Sequence, residues 1–241
     1  MGDSVSESSP FDSLPVDCIS NIISFTSPLD ACIVATVSKT FESAAKSNIV
    51  WEKFLPAEFE SLVHPSPVFL SNKELYCALC YYPFLIDDGK TSVWLEKASG
   101  KRCIMLSAMN FSIAWGDDPR YWQWISIPES RFEKVAELLQ VCWFDVRGRT
   151  NTRVLSPKTH YSAYIVFKRA DQCYGFKDEA IEAVVGMVGQ EASRRYICFD
   201  EAIDGEFQRG ERGMRPLVKP EEREDGWMEI LSLGNSSLKE E

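Results

Sequence analysis

The feature that most constrains the fold is a change in hydrophobic spacing between residues 11–56 and the chain from Cys103 onward. In the first stretch, apolar residues such as Ile19, Ile22 and Ile23 recur at helical spacing. From Cys103 the apolar residues fall in short runs separated by turn residues, which is typical of β-strands. The sequence therefore predicts an α+β protein, with a small helical part followed by a mainly antiparallel β-sandwich.

This change of spacing divides the chain into five predicted segments. The first, residues 1–10, is polar and predicted to be disordered, and residues 11–56 are predicted to form three short helices. Residues 57–100 are interpreted as a linker region with one helix, for which Ser71 provides the N-cap. The sandwich is expected over residues 101–233, and residues 234–241 form a polar tail.

Within the sandwich, alternating apolar residues locate the expected strands. The predicted strands are Cys103–Leu106, Phe111–Trp115, Trp122–Ile127, Val141–Val146, Thr152–Leu155, His160–Lys168, Ala183–Val188, Tyr196–Phe199 and Trp227–Leu231. Ser130–Gln140 has apolar residues at helical spacing and predicts a helix between strands. Arg147–Asn151 has the composition of a hairpin turn. Both faces of His160–Lys168 are apolar, which predicts a central strand.

Composition and charge argue against several classes of partner. The formal net charge of −10 disfavours nucleic-acid binding, which depends on clustered Lys and Arg. The first ten residues lack the apolar stretch of a secretion signal, and no apolar run is long enough to span a membrane. We therefore expect a protein of the cytoplasm and/or nucleus that binds neither nucleic acid nor membrane.

The sequence also predicts no metal, no cofactor and no catalytic residue. Cys77 and Cys80 form a C-x-x-C pair without a second pair, and His64 and His160 lie at no metal-ligand spacing. Both thiols lie on one face of the helix predicted after Ser71, which favours a structural role. No nucleophile elbow, phosphate-binding glycine loop or zinc-protease motif is present, so we predict a non-catalytic protein.

Residues 11–56 resemble an F-box. The matching residues are Leu14-Pro15, Ile19, Ile22-Ile23, Leu29-Asp30, Val37-Ser38-Lys39, Val50-Trp51 and Phe54-Leu55. The resemblance implies helices that dock on a Skp-family linker, which connects them to a cullin and its ubiquitin-loading partner. Apolar anchors dominate such helix-to-groove interfaces. The residues expected to contact the Skp linker, or to support the contacts directly, are Leu14, Pro15, Ile19, Leu29, Val37 and Trp51.

The chain from Cys103 to about Ile230 resembles the phloem protein 2 family, the plant lectin-like domain that is also found in Nictaba-type lectins. The matching blocks are Ile113–Asp118, Tyr121–Trp124, Ser130–Phe132, Cys142-Trp143, Leu155–Tyr161, Tyr174–Phe176 and Asp225–Ile230. Together the two resemblances imply the substrate-recognition adaptor of a Skp–cullin–F-box ubiquitin ligase. Its substrate is unknown, and the lectin-like domain favours a glycosylated one.

In lectin members of this family, two tryptophans seven residues apart are associated with sugar binding. Trp115 and Trp122 have this spacing, and an exposed indole can stack on the apolar face of a pyranose. The candidate hydrogen-bond acceptors for sugar hydroxyls are Asp117, Asp118 and Glu229. The alternative is that one or both tryptophans belong to the core.

Two further expectations concern the whole chain. Family members continue after the Trp-Met-Glu-Ile block with one or two more strands, whereas here Leu231 leads into the polar tail, which predicts a C-terminally truncated sandwich with an unpaired edge. The alternative to an adaptor is a carbohydrate-binding lectin that acts without a ligase. The discriminating feature is Leu14-Pro15 with Trp51, because an adaptor must expose this apolar face and a free lectin does not need it.

Overall fold

A computed structural model describes residues 14–57, 71–170, 175–176, 180–199 and 217–237, with side chains described up to residue 230. These ranges hold five α-helices: α1 (Val16–Ile23), α2 (Pro28–Val34), α3 (Lys39–Ala45), α4 (Asn48–Phe54) and α5 (Asn72–Tyr81). The strands of unit 1, residues 1–156, are β1 (Phe84–Ile86), β2 (Thr91–Leu95), β3 (Arg102–Leu106), β4 (Ser112–Ile113), β5 (Trp122–Ile125), β6 (Val135–Leu138) and β7 (Val146–Arg147). Those of unit 2, residues 157–241, are β8 (His160–Phe167), β9 (Ile181–Val185), β10 (Ser193–Ile197), β11 (Leu217–Val218), β12 (Glu221–Glu222) and β13 (Met228–Ser237).

Serine side chains begin four of the five helices. Ser38 and Ser47 each accept a backbone N–H of the helix that follows. Ser27 before α2 and Ser71 before α5 form full capping boxes, in which the carboxylate three residues later binds the serine N–H in return. The predicted Ser71 cap is therefore confirmed. Helix α1 begins after Pro15 without a side-chain cap.

The helices share one apolar core with the segment that follows them. Ile19, Ile23, Val50 and Trp51 are buried in it, and so are side chains of α5 and Leu95 of β2. Four helices of seven or eight residues offer too little apolar area to close a core alone, and α5 and β2 supply the rest. The linker region predicted over residues 57–100 thus contains two elements that complete the helical core.

In unit 1 the strands form three small antiparallel sheets. Strands β1, β2 and β3 make a meander in sequence order. Strand β5 pairs with β6, so that Trp122 lies opposite Leu138 and Ile125 opposite Val135. Strand β4 pairs with β7 at two positions. These sheets follow the helices in the chain and lead to the segment around Trp115.

Unit 2 has two three-stranded sheets with a common apolar core. Strand β13 lies between β12 and β8, and β10 lies between β9 and β11, with β10 and β11 parallel. Ala183, Ile197 and Ile230 are buried together, flanked by Phe167 and Phe199. The predicted α+β class, with N-terminal helices followed by mainly antiparallel strands, is confirmed.

Three local predictions were wrong. The helix predicted over Ser130–Gln140 is replaced by strand β6, which pairs with β5. The hairpin predicted around Arg147–Asn151 does not form, because β7 pairs with β4 and Thr152–Val154 is a short 3₁₀ helix. The stretch predicted to form three helices forms four, and the fourth, α4, contains the Val50-Trp51 pair.

Two predictions for the last third of the chain were also wrong. Strand β8 pairs only with β13 among the described strands, so it lies at the edge of its sheet rather than at the centre. Strand β13 continues to Ser237 along β8, whereas residues from 234 had been assigned to a polar tail. Residues 1–10, predicted to be disordered, and 238–241, the end of the predicted tail, lie outside the described ranges.

The described residues contain no candidate membrane span and no candidate metal site. Across the ranges given above, no helix has the length and apolar character needed to cross a bilayer. The same ranges hold no group of three His, Cys, Asp or Glu side chains able to bind a metal ion. Cys77 and Cys80 are half-buried and pack against the helical core, and burial raises the pKa of the Cys80 thiol.

Candidate functional sites

The helical part exposes large apolar side chains although its core is already filled. We call this set the apolar helical surface, and its members are Leu14, Val16, Ile22, Phe25, Leu29, Ile33, Val37 and Ile49. Phe25, in the turn between α1 and α2, is 87% exposed, and Val37 is 69% exposed. Leu29 and Ile33 lie one turn apart on the same face of α2. An exposed apolar patch of this extent usually marks a site where a partner binds.

The six residues predicted from the F-box resemblance divide into two groups. Leu14, Pro15, Leu29 and Val37 are exposed, so they are available to a partner. Ile19 and Trp51 are 1% and 2% exposed and belong to the core. These two residues therefore support the surface from below.

Trp51 holds three elements of the core together. Its indole N–H donates to the backbone carbonyl of Ala45 at the end of α3, with 2.7 Å between Nε1 and O. Its ring lies 5.2 Å from the ring of Tyr76 in α5 and 5.6 Å from that of Phe54. Lys73 Nζ lies 5.1 Å from the ring centroid. The indole thus satisfies a helix-end carbonyl while filling the space between α4 and α5.

Sequence reasoning did not assign Val16, Ile22, Phe25, Ile33 or Ile49 to the candidate surface. A signal for them exists in α1, where Ile19 and Ile23 fill the buried face while Val16 and Ile22 lie on the exposed face. A helix that is apolar on more than one face has more apolar surface than a core on one side can cover. Phe25 has no periodic signal because it lies in a turn.

Further along unit 1, an open depression of about 650 Å³ surrounds the exposed indole of Trp115. Its lining residues are Ile113, Trp115, Gly116, Asp117, Asp118, Pro119 and Arg120. Trp115 is 45% exposed, and its backbone has a φ of +57°, a left-handed conformation that is uncommon for a bulky residue. Backbone strain of this kind clusters at ligand-binding and active sites, which makes the segment a candidate site. We call this site the Trp115 depression.

The two aspartates of the depression differ in what they can bind. Asp118 forms a forked ion pair with the Arg120 guanidinium, at 3.0 Å from Nε and 2.6 Å from Nη2. These hydrogen bonds lower the pKa of Asp118 from the ordinary 3.8 to about 2. Asp117 is exposed and lines the same depression. Asp117 is therefore the more accessible acceptor for a ligand hydroxyl, whereas Asp118 orients Arg120.

Trp122, predicted to pair with Trp115, is largely a core residue. It is 6% exposed, and its Nε1 donates to the carbonyl of Ala114 at 3.1 Å. Trp124, which sequence reasoning did not assign to the site, donates to the carbonyl of Gly116 at 3.1 Å. Bonds to the residues on either side of Trp115 hold its backbone in place, so both indoles position Trp115.

A second, smaller depression of about 400 Å³ adjoins the first. It shares Gly116, Asp117 and Pro119 with the Trp115 depression, and Trp122, Gln123 and Trp124 complete it. The remaining predicted residue, Glu229, belongs to unit 2. There it forms an ion pair with Arg223 at 2.7 Å, and both side chains are less than a third exposed. Glu229 is thus already occupied by a partner in its own unit.

Two family models match the chain in the regions just described. The F-box domain model matches residues 11–53, and the phloem protein 2 model matches residues 101–240. The first match spans helices α1 to α3 and nearly all of α4, and with them the whole apolar helical surface. The second match includes the Trp115 depression and extends through β13.

Curated plant proteins match over almost the whole chain. F-box protein PP2-B10 of Arabidopsis thaliana is 72% identical over 225 residues, which is 93% of this chain and 80% of that protein. Putative F-box protein PP2-B8 from the same plant is 63% identical, covering 91% of this chain and 73% of its own length. F-box protein SKIP3, also of Arabidopsis thaliana, is 61% identical over 92% of this chain and 74% of its own.

Proposed function

Because the chain belongs to the F-box proteins that carry a phloem protein 2 domain, we propose that it is the substrate-recognition adaptor of a Skp–cullin–F-box ubiquitin ligase. The F-box binds a Skp-family linker, and the linker connects it to the cullin. The adaptor performs no bond chemistry itself. It raises the local concentration of substrate lysines near loaded ubiquitin, which is an effect of tethering.

The observation that carries this proposal is the apolar helical surface. Leu29, Ile33 and Val37 extend from helix α2 into the following turn and are all exposed, while Ala31 on the same helix is buried against the core. The core needs none of the three exposed side chains. Covering the exposed part of each side chain, about half to two thirds of its surface, would gain roughly 1–2 kcal/mol apiece before the costs of association.

The test is capture of a purified Skp linker by the wild type beside a Leu29→Ala/Val37→Ala variant. Both side chains are exposed, so the variant is expected to fold normally and to lose most of the capture. Truncation of an interface hot spot costs about 2 kcal/mol or more, which corresponds to roughly a 30-fold loss of affinity. Cullin capture through the linker is expected to fall in parallel.

The matched control changes exposed apolar residues of unit 2. Val184→Ala/Val188→Ala also removes exposed methyl groups, and Val188 is fully exposed. This variant is expected to capture the linker as well as the wild type does. Absence of capture by a folded wild type would contradict the adaptor proposal. Equal loss of linker capture in both variants would show that capture reflects nonspecific hydrophobic association.

The Trp115 depression favours carbohydrate as the ligand of the phloem protein 2 domain. We propose that the Trp115 ring stacks on a pyranose and that Asp117 accepts its hydroxyl hydrogen bonds. With one stacked ring and few hydrogen bonds, affinity on the order of micromolar to millimolar is expected. The adaptor would then select glycosylated substrate proteins.

Trp115→Ala tests this ligand assignment by calorimetry or glycan-array binding over a panel of oligosaccharides. Trp143→Ala is the control, because Trp143 is an even more exposed tryptophan of unit 1 that does not line the depression. Binding lost in the first variant and kept in the second supports the site. If the wild type binds no sugar, the carbohydrate proposal is wrong, and the domain would have to recognise its substrate through protein surface alone.

The competing proposal is a carbohydrate-binding lectin that acts without a ligase. It predicts sugar binding without Skp capture, so the two experiments above separate it from the adaptor. We also propose that the protein resides in the cytoplasm and/or nucleus. Imaging of a fluorescent fusion in plant cells tests this location, and a signal confined to the secretory pathway would refute it.

A further inference from the structure

The turn between β2 and β3, residues 96–101, lies directly against the F-box helices. The backbone N–H of Leu29 in α2 donates to the carbonyl of Ala98 at 3.1 Å. The phenol of Tyr76 in α5 lies 3.2 Å from the carbonyl oxygen of Glu96 and 3.0 Å from that of Lys97. Burial raises the pKa of Tyr76, so the phenol keeps its proton and remains a donor. Two helices therefore bind the backbone of one turn. We call it the 96–101 turn.

Gly100 lets this turn approach the helices closely. Its φ is +70°, and a Cβ at this position would lie 3.4 Å from the Phe54 carbonyl oxygen and 3.5 Å from Pro28 Cγ and Tyr76 Cε2. Only glycine adopts this φ freely, and a Cβ would already stand in van der Waals contact with all three helices, which leaves no room beyond it. A branched side chain would meet α2, α4 and α5 at once and push the turn away.

The turn is also held within itself. The carboxylate of Glu96 accepts the backbone N–H groups of Ala98 and Ser99 at 2.9 and 2.8 Å. The Ser99 hydroxyl donates to the same carboxylate at 2.6 Å, and these bonds lower the pKa of Glu96. The Glu96 N–H donates in turn to the Lys101 carbonyl at 2.7 Å. The turn is therefore preorganised where it meets the helices.

From the turn, β3 leads through a bonded segment to the Trp115 depression. The Ser107 N–H donates to the Lys90 carbonyl at 2.8 Å, and the Asn110 side-chain amide donates to the same carbonyl at 3.2 Å. The Arg131 guanidinium, from the segment after β5, lies 4.8 Å from the Trp94 ring centroid. Hydrogen bonds thus tie the start of β2 to the segment after β3, and a ring contact ties β2 to the segment after β5. These two segments flank in the chain the residues that line the depression.

We propose that the 96–101 turn is a positioning element that fixes the distance between the Trp115 depression and the apolar helical surface. All of these groups belong to unit 1. With the turn in place, the two surfaces move as one body. In the adaptor, a ligand at the depression would then stay at a constant distance from the docked linker, and this consequence alone rests on the proposed function.

The test is the distribution of distances between two spin labels on the full chain, measured by double electron–electron resonance. One label is placed on the exposed Cys32 in α2 and the other on Ser112→Cys in β4, which is also exposed. The other candidates for labelling are removed as Cys18→Ser, Cys142→Ser and Cys173→Ser. We expect a single narrow peak with the native turn, and loss of that narrow peak in Gly100→Val.

The matched control is Gly89→Val in the neighbouring β1–β2 turn. Gly89 has a similar φ of +78°, but a Cβ there would meet only Leu85 Cδ1 at 4.0 Å. Both variants suffer backbone strain, so a merely structural effect would lower the melting temperature of each and leave both peaks narrow. If Gly100→Val does not fold, Tyr76→Phe removes the two phenol hydrogen bonds, keeps the ring and is measured instead.

A broad distribution with the native turn would overturn the proposal. A folded Gly100→Val or Tyr76→Phe protein with a peak as narrow as the wild type would also overturn it. Binding of a Skp linker or a sugar does not enter this readout. Failure of the adaptor proposal would therefore leave the distance result standing, and the reverse also holds.

Discussion

Replacement of Trp51 should separate the role of support from that of contact on the F-box surface. Trp51 is buried and its indole N–H satisfies the carbonyl of Ala45, whereas Leu29 is about half exposed. Trp51→Ala leaves a large cavity between α4 and α5, and such changes cost about 3–5 kcal/mol. Loss of the hydrogen bond to a buried carbonyl contributes about 1–3 kcal/mol in Trp51→Phe. Leu29→Ala truncates a side chain that is only half buried and should lower the free energy of unfolding by about 1 kcal/mol.

The assay is thermal unfolding followed by circular dichroism at the helical minimum, with Skp capture measured on the same preparations. For a chain of this size, 1 kcal/mol shifts Tm by about 2–4 °C, so Trp51→Ala should lower it by about 10 °C. Trp51→Phe should lie between that variant and the wild type. Leu29→Ala should melt only about 2–4 °C below the wild type while capturing much less linker.

Two outcomes would refute this reasoning. In the first, Trp51→Ala melts like the wild type but loses capture, which would make the indole a direct contact and not a support. In the second, Leu29→Ala melts far below the wild type, which would mean that the apolar helical surface is needed for folding. Either result would also weaken the proposal that the surface serves a partner.

Three further predictions concern local features. Ser71→Ala removes the cap of α5 and should lower the free energy of unfolding by about 1 kcal/mol in urea titration, whereas a change near zero would show that the capping box is dispensable. Because the folded pKa of Asp118 is lowered, its pair with Arg120 stabilises the fold above the ordinary carboxyl pKa of 3.8, and this stabilisation is lost as pH falls towards 2. Carboxyl-carbon NMR should show a midpoint near 2 that rises in Arg120→Gln, and an unchanged midpoint would contradict the pairing. A maleimide reagent should label exposed Cys32 well before half-buried Cys80, whose thiol pKa is raised by burial, and mass spectrometry of timed samples would show the reverse order if the core were open.

The helical part was more predictable than the strands because the sequence signals that mark helices are local. Ser27-Pro28 and Ser71 mark helix starts through bonds that span only three residues, and apolar spacing locates the buried face of α1. The separate helix α4 was missed because it begins only three residues after α3 ends and has no breaker before it.

Strand pairing was less predictable because partners lie far apart in the chain. The Arg147–Asn151 segment has turn composition, but β7 pairs with Ser112-Ile113 and not with the residues that follow. The spacing of Val135 and Leu138 fits one face of a helix, but a segment this short is ambiguous by periodicity, and pairing with β5 decided the outcome. Composition does not specify which distant segment supplies hydrogen bonds.

At the candidate ligand site, residue types were easier to predict than their surroundings. The spacing of Trp115 and Trp122 identified the right loop, but only the structure shows that one ring is exposed and the other is bonded to Ala114. Arg120 was missed because its importance comes from its forked pair with Asp118, which requires coordinates. Glu229 was grouped with these residues by chemistry alone, and it is paired within unit 2.

The sharing of one core by the F-box helices, α5 and β2 has a consequence for how such proteins can be recombined during evolution. The F-box match ends at residue 53, yet Trp51 packs against Tyr76, and Leu95 fills the same core. A gene fusion that joined residues 14–57 to an unrelated domain would leave the inner side of α4 in water. The smallest unit of this chain that keeps that side covered therefore extends past the four helices through α5 and β2.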